Sequence, residues 1–373
     1  MFKIENNSII VNKVGDINIL SVTDLHLRAS NFKGRYDYPG EVLQYLKDID
    51  KIVEERQIDI LLLYGDIFDN HFTESGALQY YNQITAVFKS IADKCLIVSL
   101  MGNHDLHNYK TTPFFSVVEL HSNRIALDLK AKYFNPICTT PLIYAPDRLI
   151  INDNVVVELF HFSDVNKNYR AVPEENKTYI GIFHDAIISN KAKSYMKSVV
   201  GTIVYEAMSE HMTVVNIEDN YFDNLKYACI GDIHTRIGEF TVGNCLVDIP
   251  GTVGRTQYTI LQGHNKVDLP LFKINGSTVE KSHLDFPLLS IENSYKVNAL
   301  EVDKKRRIEG KEFKKALEKI TFTKDIRADI ENSNIQQGIK EIVIDALEGK
   351  TESKAVSLLQ QYISKYESSK ESK

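Results

Sequence analysis

Residues 58–69 read Ile58-Asp-Ile-Leu-Leu-Leu-Tyr64-Gly65-Asp66-Ile-Phe-Asp69, an apolar run stopped by a glycine and followed by two carboxylates three positions apart. The run is too short for an independent helix and is rich in residues that tolerate a pleat, so it predicts a strand buried on both faces. Upstream, residues 39–57 carry Val42, Leu43, Leu46, Ile49, Ile52 and Val53 at helical spacing, and a β-rich run at residues 17–23 precedes them. Downstream, residues 76–93 repeat the helical spacing through Leu78, Tyr81, Ile84, Val87, Phe88 and Ile91, and residues 95–101 repeat the strand. Strand alternating with helix predicts an α/β fold whose parallel sheet is built from right-handed crossovers.

Past about residue 108 the helical signal fades and short β-rich runs follow at 142–144, 155–162, 178–183, 227–230 and 241–248, which predicts a second sheet. The character changes again near residue 268. Strand-like runs at 269–274 and 295–302 precede helical stretches at 309–320 and 335–347, and residues 352–366 place Ala355, Val356, Leu358, Leu359, Tyr362, Ile363 and Tyr366 on one helical face. The expected organisation is therefore an α/β domain over 1–268, a small α+β domain over 269–349, and a terminal helix with a polar tail over 350–373. Charge divides along similar lines: residues 301–373 hold 16 Lys and Arg against 14 Asp and Glu, leaving 28 against 36 before them.

The whole chain has 373 residues, is 43% hydrophobic and 25% charged, and carries a formal net charge of -6. This is the composition of an ordinary globular protein, and it excludes collagen, coiled-coil rods and disordered tracts. A net negative chain does not grip nucleic acid by general basicity, so any such contact has to be local or shared with a partner. Cys95, Cys138, Cys229 and Cys245 form no C-x-x-C pair and read as buried apolar residues of a reducing compartment. With no export signal at the start and no apolar run near the ~20 residues a membrane span needs, a cytoplasmic protein without membrane attachment is expected.

The chemistry lies at the strand ends. Asp24 and His26 follow the first strand, Asp66 and Asp69 the second, Asn103 and His104 the third, and two later runs end in Gly181-Ile-Phe-His184 and Gly231-Asp232-Ile-His234. Carboxyl ends of parallel strands converge on one edge, where ligands of open α/β sheets bind. Carboxylates, imidazoles and an amide without a thiolate suit borderline divalent ions such as manganese, iron or zinc better than calcium, and there are more donors than one ion needs. Two ions sharing a bridging carboxylate is the economical arrangement, one that serves phosphate-ester hydrolysis. His71, His107, His121, His161, His211, His264 and His283 lack such a setting and read as ordinary. No P-loop and no G-x-S-x-G elbow is present.

Asp24-Leu-His26, Gly65-Asp66-Ile-Phe-Asp69, Gly102-Asn103-His104-Asp105, His184 and Gly231-Asp232-Ile-His234 together resemble the five ordered motifs of the calcineurin-like metallophosphoesterases. Within them the likeness is greatest to the SbcD-type DNA repair and recombination nuclease subunits, and a bacteriophage member would fit the size. The segment 248–256, with Pro250, Gly251, Gly254 and Arg255, is similar to the Pro-Gly segment that follows the last motif. The resemblance implies a β-sandwich flanked by helices, with the small domain as a cap. It implies Asp24, His26, Asp66 and His234 around one ion, with Asp66 bridging to a second ion held by Asn103, His184 and Asp232. Position 232 is most often histidine in this family; an aspartate there hardens the site toward manganese, with magnesium the alternative. His104 would act on the leaving oxygen with Asp69 orienting its ring, and Arg28 and Arg255 would contact phosphate.

The function expected from the resemblance is a two-metal-ion DNA exonuclease, with endonuclease activity as a second mode, in bacterial or phage-infected cytoplasm. Its expected partners are DNA, a second copy of itself, and an SbcC-type coiled-coil ATPase bound through the C-terminal helix. A small-molecule metallophosphatase, a cyclic-nucleotide phosphodiesterase and a non-catalytic DNA-end scaffold are the rival readings.

Overall fold

The computed structural model describes residues 2–5, 8–32, 34–69, 77–108, 118–119, 143–162, 164–165, 170–200, 205, 214–255 and 265–296. The chain divides into two units, 1–297 and 298–373, and all described residues belong to the first.

In chain order the first strands are β1 (Phe2–Glu5), β2 (Ser8–Val11), β3 (Ile17–Val22), β4 (Ile60–Leu63), β5 (Leu96–Ser99) and β6 (Val118–Glu119). Then come β7 (Ile143–Tyr144), β8 (Arg148–Ile151), β9 (Val155–Phe160), β10 (Thr178–Phe183), β11 (Ala186–Ser189) and β12 (Val214–Ile217). The last are β13 (Tyr227–Ile230), β14 (Gly238–Val242), β15 (Cys245–Ile249), β16 (Lys266–Asn275) and β17 (Thr278–Pro287). Helices are α1 (Tyr38–Glu55), α2 (Ala77–Ala92), α3 (Asn103–Asn108), α4 (Asn190–Val200) and α5 (Ile291–Ser294).

Two large sheets result, one ordered β17-β16-β3-β4-β5-β7-β6 and the other β1-β2-β8-β9-β10-β13-β15-β14, with β11 and β12 as a separate pair. The two-residue period of a strand explains how they stack. Ile17 and Ile19 of β3 and Ile60 and Leu62 of β4 face Ile180 and Ile182 of β10 and Val155 and Val157 of β9 in the core between the sheets. Their alternates, Leu20, Val22, Leu61 and Leu63, face α1 and α2 through Val42, Leu46, Ile49, Ile84 and Phe88. The other sheet is covered on its outer face by β11 and α4, through Ile187, Ala192 and Met196. The expected sandwich flanked by helices is the fold observed.

Helix α1 begins where Asp37 accepts a hydrogen bond from the Gly40 N–H at 3.0 Å with Pro39 in the first turn, a cap of about 1 kcal/mol. It ends as Gln57 turns into the left-handed region at φ 51° and the chain enters β4. β3, β4 and β5 run parallel, as do β9, β10, β13 and β15. The carboxyl ends of the ligand-bearing strands therefore meet on one edge of the sandwich.

Three expectations change. The run at 241–248 is two strands, because Gly243 at φ 61° reverses the chain between β14 and β15. The boundary at 268 moves: β16 and β17 form a hairpin whose first strand pairs antiparallel with β3, Leu271 opposite Leu20, so this segment belongs to the sandwich. Its Phe272 and Ile274 complete the inter-sheet core, which is why it cannot detach as a separate domain. Of the strand expected at 295–302, Tyr295 makes a single bridge with Arg35, Lys296 lies in no strand, and 297–302 lie outside the described residues. The helices expected at 309–320, 335–347 and 352–366, and the boundary at 349, also lie outside them. No helix among the described residues is long and apolar enough to cross a membrane.

Candidate metal centre

Each of the sequence-predicted ligands leaves a strand end in a sharp turn, and four of them do so in the left-handed region: Asp24 at φ 33°, His26 at 47°, Asp66 at 46° and Asp232 at 58°. Such conformations cost about 1–3 kcal/mol each and persist only where surrounding bonds impose them. Those bonds are present. The Asp24 carbonyl accepts from the Gly254 N–H at 2.8 Å and the Thr252 hydroxyl at 2.9 Å, which gives the Pro-Gly segment its local purpose. The His26 N–H donates to the Asp66 carbonyl at 2.8 Å. Buried Asp105 accepts from the Gly102 N–H at 3.0 Å and the Phe68 N–H at 3.3 Å, tying the turns after β4 and β5 together. A side chain at Gly65 would collide with the His184 ring and one at Gly102 with the Asp66 carboxylate, so both glycines are there for close approach.

The side chains converge. His26 Nε2 lies 3.1 Å from His234 Nε2, Asp66 Oδ1 lies 3.3 Å from His184 Nε2, and Asn103 Oδ1 lies 3.1 Å from the same His184 nitrogen. His184 Nδ1 donates to the Tyr64 carbonyl, which leaves Nε2 as the ligand nitrogen. Donor atoms from Asp24, His26 and His234, from Asp24, Asp66 and His184, and from His26, Asp66 and His104 lie within 4.8 Å of one another in each group. Asp24 and Asp66 belong to more than one group, as shared ligands would. Asp232 sits beside them, its backbone N–H donating to Asp24 Oδ1 at 3.3 Å.

The electrostatics are those of a cation site. Burial pushes Asp24 up to about 7 and Asp232 up to about 6, with the neighbouring Asp66 charge adding to both. Burial alone would lower His26, but Asp69, Asp66 and Asp24 raise it to about 9. His184 goes the same way through Asp66 and Asp24, while burial and the nearby His26 hold His234 down at about 3. Asp66 stays ionised well below the usual carboxylate range, because His184 and His26 outweigh its burial. Asp24 Oδ2 and Asp66 Oδ2 are buried without a hydrogen-bond partner. Dry carboxylate oxygens are costly unless a cation meets them, so the donor set fits divalent metal.

The remaining site residues divide. His104 is 37% exposed at its side chain, and its Nδ1 donates to the Asp69 carbonyl at 2.9 Å with the Asp69 carboxylate 3.4 Å away. Asp69 thus orients the ring chiefly through its backbone, while its carboxylate also faces His26 at 3.4 Å and Arg28 at 2.8 Å. Burial would raise Asp69, but these neighbours hold it below the ordinary range. Arg28 stacks on Phe32 at 4.0 Å and places its charge on Asp69. Arg255 is a correction: it is fully buried and bonds Glu41 at 3.0 Å and Ser294 at 2.9 Å, with Arg35 on the same Glu41 at 2.7 Å. A guanidinium sealed in that cluster cannot meet phosphate; it joins α1 to α5 instead. A separate group, Glu239, Asp248 and His283, is filled by the ammonium of Lys281, which bonds all three.

A family model of the calcineurin-like phosphoesterases matches residues 17–235, from β3 to the residue after His234. The chain belongs to this family. No curated protein sequence matches it. Among solved structures, a dimetal phosphatase from Danio rerio is similar at 11% identity and a TM-score of 0.39, over 73% of this chain and 99% of that one. GAP50, the anchor in the inner membrane complex of Plasmodium, is similar at 9% identity and a TM-score of 0.37, over 77% and 93%. Calcineurin-like phosphoesterases use divalent metal ions, and the residues gathered at this edge are of the types that hold them.

The charge pattern of this phosphoesterase site makes a pH prediction. Asp24 and Asp105, each raised by burial from 3.8 to about 7, and His26, raised from 6.5 to about 9, bind protons more tightly folded than unfolded. Stability is therefore lost as pH rises, through the carboxylates up to about 7 and through His26 up to about 9. His234 acts oppositely, but only below 6.5. Chelator-treated protein should thus melt at progressively lower temperature between pH 6.5 and 9, and manganese, which competes with those protons, should widen its stabilisation over the same window. A chelated melting temperature that is flat or rising there would show that these groups are not protonated.

Proposed function

We propose that this metal-dependent phosphoesterase is a DNA nuclease, the SbcD-type subunit of a repair and recombination complex. Two divalent ions would be held by Asp24, His26, Asp66 and His234 on one side and by Asp66, Asn103, His184 and Asp232 on the other. Bound ions would lower the pKa of water and neutralise charge on the phosphoryl oxygens. Asp232, an oxygen donor, favours manganese or magnesium. His104, whose side chain is 37% exposed, would supply a proton to the leaving oxygen while Asp69 keeps its ring in place.

The reading rests on one observation above others: a second unit, residues 298–373, follows the catalytic one and ends in a strongly amphipathic pattern that a small-molecule phosphatase does not need. The helix expected from that pattern is proposed to bind the coiled-coil base of an SbcC-type ATPase, which would add to the chain's own local contacts with DNA ends, and the assembly is proposed to be a homodimer in the cytoplasm. The rival reading, a small-molecule phosphatase, uses the same ligands.

End-labelled linear duplex and single-stranded DNA, incubated with the purified chain and manganese, magnesium or chelator beside a phosphomonoester, separate the two. Manganese-dependent shortening that disappears with Asp66→Ala is the expected result. Turnover of the monoester with DNA untouched would overturn the nuclease reading. Deleting residues 352–373 should abolish ATPase association and leave manganese uptake unchanged.

A further inference from the structure

His161 has no metal-binding sequence context, yet it sits at the junction of the two sheets. It follows β9, and its ring is buried. Its Nε2 meets the Pro146 carbonyl at 2.9 Å, which can only accept, so that nitrogen carries the hydrogen; the Asp147 carboxylate lies 3.8 Å from it. Nδ1 is then the acceptor, and it takes the backbone N–H of Met101 at 2.9 Å. The next residue, Phe162, donates its N–H to the Met101 carbonyl at 2.9 Å. Met101 is therefore gripped on both sides by two consecutive residues of the opposite sheet. The residue before, Phe160, accepts the N–H of His184 at 3.1 Å. Three residues in a row thus hold the start of Gly102-Asn103-His104 in one sheet and His184 in the other.

We propose that His161 is a positioning residue that sets the register between the two halves of the second ion's site. The proposal rests on the two-ion reading above. Asn103 and His184 come from different sheets, and their 3.1 Å approach is bridged by this tail. Three of the first ion's four residues do not depend on it, since Asp24, His26 and His234 are held by the Thr252–Gly254 segment and by the turn pairing of His26 with Asp66; the fourth, Asp66, takes the His104 N–H at 2.9 Å but is anchored through its own carbonyl to His26. Loss of the acceptor at Nδ1 should therefore loosen one ion and spare the other.

Three substitutions separate positioning from packing. His161→Asn keeps an oxygen where Nδ1 stands, His161→Gln keeps a polar end near Pro146 but offers nothing at the Nδ1 position, and His161→Phe keeps ring volume alone. The measurements are manganese titration by calorimetry, the exchange-coupled electron paramagnetic resonance signal of a manganese pair, and kcat and KM on a bis-aryl phosphodiester. His161→Phe and His161→Gln should bind the first ion as wild type and the second about 10- to 100-fold more weakly, lose the coupled signal at stoichiometric metal, and lose kcat with KM nearly unchanged. His161→Asn should recover second-ion affinity to within about threefold of wild type. Equal second-ion affinity in the Asn and Gln variants would overturn the proposal, even if the Phe variant fails to fold. Wild-type protein that takes up fewer than two ions would overturn the two-ion reading itself, a result distinguishable because it needs no variant.

Discussion

Asp66→Asn will abolish metal-stimulated turnover while the fold survives. The carboxylate is wholly buried, its Oδ1 accepts the backbone N–H of His104 at 2.9 Å, and its Oδ2 has no hydrogen-bond partner. It also lies between His184 at 3.3 Å and His26 at 3.8 Å, so like Asp24 it is a charge common to both halves of the donor set. Asparagine suits the backbone, because it accepts the left-handed φ of 46° more readily than other residues. What it removes is the negative charge. An ion that contributes about 4 kcal/mol of transition-state stabilisation is worth on the order of 10³-fold in rate, and losing a shared ligand should cost at least that. The metal-free protein should still fold but melt somewhat lower, since His26 and His184 lose the carboxylate that holds protons on them. The rise in melting temperature on adding manganese should vanish. Retained turnover would show that the shared carboxylate is not part of the metal site.

The convergence of these donor residues was legible because each follows an apolar run that could only be a strand, and the ends of parallel strands have one place to meet. Less local features were hidden. The turn between β16 and β17 at Gly276 is a visible hairpin signal, but nothing in the neighbouring residues says that β16 pairs with β3, from the far end of the unit. Arg255 stands beside a motif loop and looked like a phosphate contact. Its fate is decided by Glu41 and Arg35, more than two hundred residues earlier, whose charges make a buried cluster possible. His161 was invisible for another reason: Met101 and Pro146 meet it through backbone atoms, so no residue type marks the pairing. Sequence patterns report side-chain chemistry at strand ends well and backbone partnerships between sheets hardly at all.

His104→Ala should leave both ions bound and reduce kcat by about 10²- to 10⁴-fold, the usual worth of a positioned proton donor. The geometry allows a competing role, because His104 shares a close donor group with His26 and Asp66 and could act as a ligand. One feature favours proton transfer. The Nδ1 hydrogen is committed to the Asp69 carbonyl, which leaves Nε2 facing the site for either role, but the side chain is 37% exposed where His26 and His184 are sealed, as a group that must reach substrate has to be. Manganese titration decides between the roles. A ligand's loss weakens an ion and can be offset by excess metal, whereas an acid's loss leaves affinity intact and cannot. Substrates with a good leaving group supply a second test, since an aryloxide needs little protonation: the variant should lose far less rate on an aryl phosphoester than on an alkyl one. Equal losses on both, or rescue by excess manganese, would move His104 from the acid's role to the ligand's.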